Sequence, residues 1–187
     1  MNKNKILIGI TGSIAAYKAC ILINLLKRNN FEIRVIMTEA ATRFVAPLTF
    51  QTLSNFPVYI DMFKNINESK VEHIDLADWC NLIIVYPATY NTTNKIATGI
   101  ADNLLTTILS AMPDKKPIII APAMNIHMWN NKIIKHNINN LKKINNYYFI
   151  NPQKGNLACG YEAKGKVANP ENVLRMIKKI SEKNIKQ

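Results

Sequence analysis

"PIIIAPAMNIHMWNN", Pro117 to Asn131, is the stretch whose reading decides the fold. Its first half is a β-branched apolar run, the composition of a strand buried on both faces of a parallel sheet. Its second half holds Pro122, Met124, His127, Met128 and Trp129 among Asn125, Asn130 and Asn131. A surface turn would use Gly, Asp and Ser, and a plain core would not carry so many amides. Apolar bulk mixed with hydrogen-bonding side chains just beyond a strand has the makeup of a ligand pocket.

The same alternation extends in both directions. "KILIGI" (Lys5–Ile10), "FEIRVIMT" (ending at Thr38), "PVYI", "NLIIVYP" and "YYFIN" read as further strands. Between them, helical patterns run from about Ile14 to Asn29, onward from Glu39, through "PLTFQTLSN" and through "VEHIDLADWC". Further helices are expected over Thr92–Met112, weakened locally by Gly99, over Lys132–Ile144, and from Pro170 to about Lys183 after a polar loop. Ala15, Ala19, Leu22 and Leu26 share one face at helical spacing. Strands of continuous apolar residues alternating with helices imply an α/β, doubly wound, Rossmann-like parallel sheet with helices on both faces. The 187 residues suit one domain, 1–187, with no linker, repeat or low-complexity tract.

Ligands of such sheets bind beyond the carboxyl ends of the strands. Those ends carry "TGS", "MTEA", "YPATYNTT" and "APAMN", which therefore converge on one rim. Gly12 and Ser13 stand where the first strand gives way to a helix, a place suited to a phosphate, although a tight structural turn uses the same residues. Thr89, Asn91 and Thr92 open the next rim helix, where hydroxyls and amides serve equally as caps.

Composition narrows the function classes. The net charge is +12, but the lysines lie singly on helix faces or crowd "RMIKKISEKNIK", with no zinc-finger spacing and no aromatic-interleaved basic strand. A solvated basic surface is expected rather than a nucleic-acid site. No signal peptide or membrane span fits the short, Gly-broken apolar start, so the expectation is a cytoplasmic protein with no membrane partner. The absence of HExxH and CxxC gives no support to a metal site. Of the three cysteines, Cys20 and Cys80 sit among apolar residues as space fillers, while Cys159 lies among small and polar residues. His73, between two acids in "VEHIDLA", is expected near the rim.

"PATYNTTNKIATGIADNLLT", "APAMNIHMW" and "LACGYEAKGK" together resemble the flavin-dependent cysteine decarboxylases, over nearly the whole chain from "GITGSIAAYK" onward. That family includes phosphopantothenoylcysteine decarboxylases of coenzyme A synthesis and the peptidyl-cysteine decarboxylases of lantibiotic maturation. The resemblance implies FMN, held by Gly12, Ser13, Thr38, Phe44, Thr89, Tyr90, Asn91, Thr92 and Ala123. It implies His73, Asn125 and Cys159 as catalytic residues, with Asn125, Met124, Met128, Ala158 and Gly160 around the substrate and Trp129 shaping the site. In the chemistry it implies, a hydride leaves the cysteinyl Cβ for the flavin, and as the carboxylate departs as carbon dioxide the resulting C=S accepts the electron pair of the broken bond. Cys159 then supplies a proton as the enethiol is reduced.

The expected substrate is a phosphorylated cysteine conjugate, phosphopantothenoylcysteine, because peptide decarboxylases generally lack the Cys159 match. A C-terminal peptidyl cysteine is the alternative, and a non-enzymatic regulatory flavoprotein a more distant one. Three positions depart from the coenzyme A pattern: Tyr90 for Ala, Tyr161 for an acid, and Lys166 for Arg. Family members are trimers or dodecamers with flavin at a subunit interface, so a homo-oligomer is expected. The chain stops before any cysteine-ligating domain, which implies a stand-alone decarboxylase.

Overall fold

Ile6, Ile8 and Ile10 pack on one side of the first strand and Leu7 on the other, so a single apolar run feeds two cores. The same division follows in "IIVY", where Ile84 and Tyr86 join the first core and Ile83 and Val85 the second. Period-2 side-chain geometry makes this unavoidable once a strand is covered on both faces. The computed structural model describes residues 4–63, 72–156 and 162–184.

The strands of the main sheet are β1 (Lys5–Ile10), β2 (Glu32–Met37), β3 (Val58–Tyr59), β4 (Leu82–Ala88), β5 (Ile118–Pro122) and β6 (Tyr147–Phe149). They form one six-stranded sheet in the order β3-β2-β1-β4-β5-β6. Every pairing is parallel, with Ile8 opposite Val35 on one side and Ile84 on the other. The strand order reverses between β1 and β4, the place where a doubly wound sheet opens a crevice.

The helices are α1 (Tyr17–Arg28), α2 (Glu39–Thr42), α3 (Pro47–Ser54), α4 (Glu72–Trp79), α5 (Tyr90–Thr98), α6 (Leu104–Ser110), α7 (Ile126–Asn130), α8 (Lys132–Leu141) and α9 (Pro170–Asn184). Ala19, Leu22, Ile23 and Leu26 of α1 and Val173, Ile177 and Ile180 of α9 cover one face. Leu76 and Ala77 of α4, with Leu104, Leu105 and Ile108 of α6, cover the other. Cys80 is wholly buried there, and burial pushes its thiol up to about 11, in keeping with a space-filling role. Cys20 is partly buried against the first core.

Several boundaries differ from the sequence reading. The helix expected from Ile14 starts as a 3-10 turn, Ile14–Ala16, capped by the Ser13 hydroxyl, which accepts from Ala15 N–H. The helix expected over Thr92–Met112 is two helices. Gly99 takes a left-handed φ of 72° and closes α5, and Asn103 then opens α6 with a reciprocal capping box to Thr106. The helix expected from Glu39 is a single turn, and α8 ends at Leu141 rather than Ile144.

The amides of the deciding stretch are largely caps. Asn125 Oδ1 accepts from His127 N–H at 2.8 Å to start α7, a helix not anticipated, and Asn131 Oδ1 accepts from Ile133 N–H at 2.8 Å to start α8. The polar loop after β6 contains an antiparallel pair, β7 (Gln153–Asn156) and β8 (Glu162–Lys166).

Helix α6 lies so close to β1 that a Cβ at position 9 would stand 2.4 Å from Leu105 Cδ1. Gly9→Ala is therefore expected to cost about 1–3 kcal/mol through overpacking, measured by urea unfolding. Leu105→Ala alone should cost about 2–5 kcal/mol by leaving a cavity. The double variant should lose less than the sum of the two, because each substitution accommodates the other. Strict additivity would show that this approach does not govern the packing.

Candidate functional site

Thr11, one residue past β1, is wholly buried. Its hydroxyl donates to Pro87 O at 2.7 Å and accepts from Thr89 N–H at 3.0 Å. One side chain thus clips the end of β1 to the turn that leaves β4, across the crevice between them. Ala123 N–H donates to Ala88 O at 2.9 Å, which carries the β4–β5 ladder one step beyond the sheet. Met124 N–H donates to Gly165 O at 3.1 Å and ties the "PAMN" turn to β8. Four segments far apart in sequence are held together at the carboxyl rim.

Between them lies a cavity of about 570 Å³. Gly12, Ser13 and Thr38 form one part of its wall, and Thr89, Tyr90, Asn91 and Thr92 another. Ala123, Met124 and Met128 close a third side, with half-exposed Phe44 at the mouth. The wall also includes Ile14, Ala40 and Asn103, which the sequence reading did not single out. Ile14 and Ala40 carried no signal beyond adjacency to rim loops. Asn103 carried one: an Asn three residues before Thr106, shortly after a helix-ending Gly, is a cap signature that places it at the rim end of α6.

The geometry of this wall fits a phosphorylated ligand with a broad apolar part. The Thr38 hydroxyl is buried without a hydrogen-bond partner among the described residues, a state that a native structure usually corrects with a bound acceptor or water. A Cβ at position 12 would come within 2.6 Å of Ala40 Cβ, so the turn closes this tightly only with Gly. Ala15 N–H donates to the Ser13 hydroxyl and Ala16 N–H to Ser13 O, so an anion here would be met by main chain ahead of them, at the Gly12–Ser13 turn. Met124, Met128, Phe44 and Tyr90 offer the flat, polarisable surface that a ring system needs.

Asn125 adjoins the cavity at the N-cap of α7 without being part of the described wall. Because its Oδ1 is turned to His127 N–H, the side it turns away from its own helix is the donating Nδ2. Trp129, on α7, is also outside the wall. His73 is half-buried in the first turn of α4, whose chain direction puts it at the rim end of that helix, outside the lining of this cavity. Ala158, Cys159, Gly160 and Tyr161 lie outside the described residues; β8, which follows them in sequence, is tied to the "PAMN" turn, and β7, which precedes them, pairs with β8. Among the described residues no group of His, Cys, Asp or Glu could hold a metal ion, and no helix is long and apolar enough to cross a membrane.

The chain is similar in sequence and fold to known proteins. The family described as Flavoprotein matches residues 1–182. The coenzyme A biosynthesis bifunctional protein CoaBC of Bacillus subtilis (strain 168) is 49% identical over 179 residues, which are 96% of this chain and 43% of that protein. A probable phosphopantothenoylcysteine decarboxylase of Streptococcus mutans is 40% identical over 173 residues, 92% of this chain and 96% of the relative. The chain thus spans under half the length of the bifunctional relative and nearly all of the shorter one. Among solved structures, a mutant PPC decarboxylase complexed with pantothenoylaminoethenethiol superposes with a TM-score of 0.87 at 31% identity, covering 97% of this chain and 100% of that one.

Proposed function

The chain belongs to the Flavoprotein family, and from that premise we propose that it is an FMN-dependent phosphopantothenoylcysteine decarboxylase. The observation that carries the reading is the cavity at the β1–β4 crevice, which joins a phosphate-like cradle to the Met-lined approach to Asn125. The names of the relatives from Bacillus subtilis and Streptococcus mutans support the substrate class. A net charge of +12 favours the approach of a phosphorylated, carboxylated substrate. A cytoplasmic location goes with this reading.

FMN, when bound, would supply the two-electron redox step. Gly12, Ser13 and Thr38 would hold its phosphate, and Thr89 to Thr92, Ala123 and Phe44 would border the rest. Asn125 would hold the substrate carboxylate through Nδ2–H. An amide suits this task because it binds the carboxylate without protonating it, and the group must leave as carbon dioxide. Met124 and Met128 would keep water from that carboxylate. Cys159, with Ala158 and Gly160 beside it, would close over the substrate and deliver a proton to the enethiol carbon in the last step.

His73 lies outside the lining of this cavity, and the family resemblance, with flavin at a subunit interface, supports a second copy that brings it to a neighbouring pocket. Ile14, Phe44 and Met128 at the mouth, with Tyr17, Ile21 and Leu48 nearby in sequence, are all exposed apolar side chains, and they support such an assembly. A trimer, alone or within a dodecamer, is the assembly that the family resemblance favours.

Incubation with phosphopantothenoylcysteine and with a Cys-terminated peptide, followed by mass spectrometry, should show loss of carbon dioxide from the first alone. Loss from the peptide alone would assign the protein to the peptidyl-cysteine class. Asn125→Asp sets like charges together in a desolvated pocket, so turnover should fall by roughly a hundredfold or more with flavin still bound. Unchanged turnover would reduce Asn125 to a helix cap.

Co-expression of His73→Asn and Asn125→Asp chains tests the shared site. Each variant alone should be inactive, while mixed assemblies should regain part of the activity, because some pockets then receive both native residues. Absence of any recovery in isolated mixed assemblies would contradict a pocket built from two chains.

A further inference from the structure

Asn103 lines the cavity from the start of α6, and every polar atom of its side chain has a defined direction. Oδ1 is turned inward, accepting from Thr106 N–H at 3.1 Å, while Asn103 N–H donates to Thr106 Oγ1 at 3.3 Å. Nδ2 donates to Asp102 Oδ1 at 3.0 Å. Asp102 is itself held from the other side by the Lys95 ammonium, which belongs to the last turn of α5. The hydrogen bond from Lys95 keeps the Asp102 carboxyl below its usual range, so it is an anion at neutral pH.

A helix cap needs only the side-chain oxygen. Here the nitrogen is fixed as well, and an amide nitrogen carries two hydrogens. Asp102 takes one of them, and the second has no partner among the described residues, on a side chain that lines the cavity. Lys95 and Asp102 stop the amide from rotating to offer its oxygen instead.

We propose that Asn103 is a ligand-binding residue of this pocket that donates its second Nδ2–H to a carbonyl oxygen of the flavin ring, with Asp102 and Lys95 as the residues that position it. The inference rests on the flavin reading above. A single uncharged amide hydrogen matches a neutral ring carbonyl, whereas a phosphate or a carboxylate is met more strongly by charged donors or by several N–H groups together. The phosphate already has its own donors at Gly12, Ser13 and Thr38, in a different part of the wall.

The test uses the full-length protein stripped of flavin and titrated with FMN and with riboflavin, followed by flavin fluorescence. Asn103→Ser retains an N-cap oxygen but has no amide donor. It should bind both flavins about tenfold more weakly, the factor that one net hydrogen bond carries, with the loss equal for the two. Asn103→Asp also retains the cap, lacks the donor and adds charge beside Asp102, so its loss should be at least as large. Thr106→Val removes the reciprocal half of the capping box and leaves the amide in place, so it should melt at a lower temperature with unchanged flavin affinity.

Unchanged affinity in both Asn103 variants would overturn the proposal and leave Asn103 a cap. A loss confined to FMN would assign the donor to the phosphate, and an equal loss in Thr106→Val would assign the effect to cap geometry; either result contradicts a ring contact. If the unaltered protein binds neither flavin, it is the flavin reading that fails, a result distinct from any of these.

Discussion

A hydroxyl with no access to water holds the rim together. Thr11 is placed by β1, whose residues are locked between β2 and β4, and from there it bonds both the Pro87 carbonyl in the last two residues of β4 and the Thr89 amide at the start of the α5 turn. The crevice of a doubly wound sheet is a gap between strands whose connections leave in opposite directions. Nothing in the ladder itself fixes the distance between those departing loops. Thr11 supplies that constraint, and a valine of the same shape would leave a buried carbonyl and amide unpaired.

The rest of the site is an extension of the same logic. Ala123 prolongs the β4–β5 ladder beyond the sheet, and Met124 fastens the next turn to β8. Each bond is a backbone N–H meeting a carbonyl from a distant segment, so the side chains between them are aimed by main chain that cannot drift. Donors for an anion gather where β1 and β2 end, and sulfur and aromatic surface gathers where β5 ends. The division into a phosphate end and a ring end therefore follows from strand order.

Sheet and rim were legible because both are written in short-range patterns. Short, β-branched apolar runs such as "KILIGI" and "PIIIAP", alternating with helical patterns, favour buried parallel strands, and their ends name the binding edge. Helix limits were less legible. The run Thr92–Met112 is apolar and periodic enough for one helix, and the break depends on Gly99 taking a positive φ and on Asn103 and Thr106 bonding each other. Those choices are made by packing: α6 must shift to lay Leu105 against Gly9 of β1. The amides around "PAMN" are partly ligand chemistry and partly caps, a distinction that composition cannot draw because both tasks use the same group. The wall residues Ile14 and Ala40 are apolar neighbours of loop residues, and only the folded turn reveals them.

The central claim is that the crevice clipped by Thr11 is a flavin site with its phosphate at Gly12, Ser13 and Thr38. The most direct measurement is the flavin content of the purified protein, by absorption spectrum and by mass spectrometry of the released cofactor. The purified protein should be yellow and carry FMN, and it should take up added FMN in place of riboflavin when the two compete, because Thr38 and the Gly12 turn engage the phosphate. A colourless protein that takes up no FMN, or one that holds riboflavin equally well, would contradict the claim.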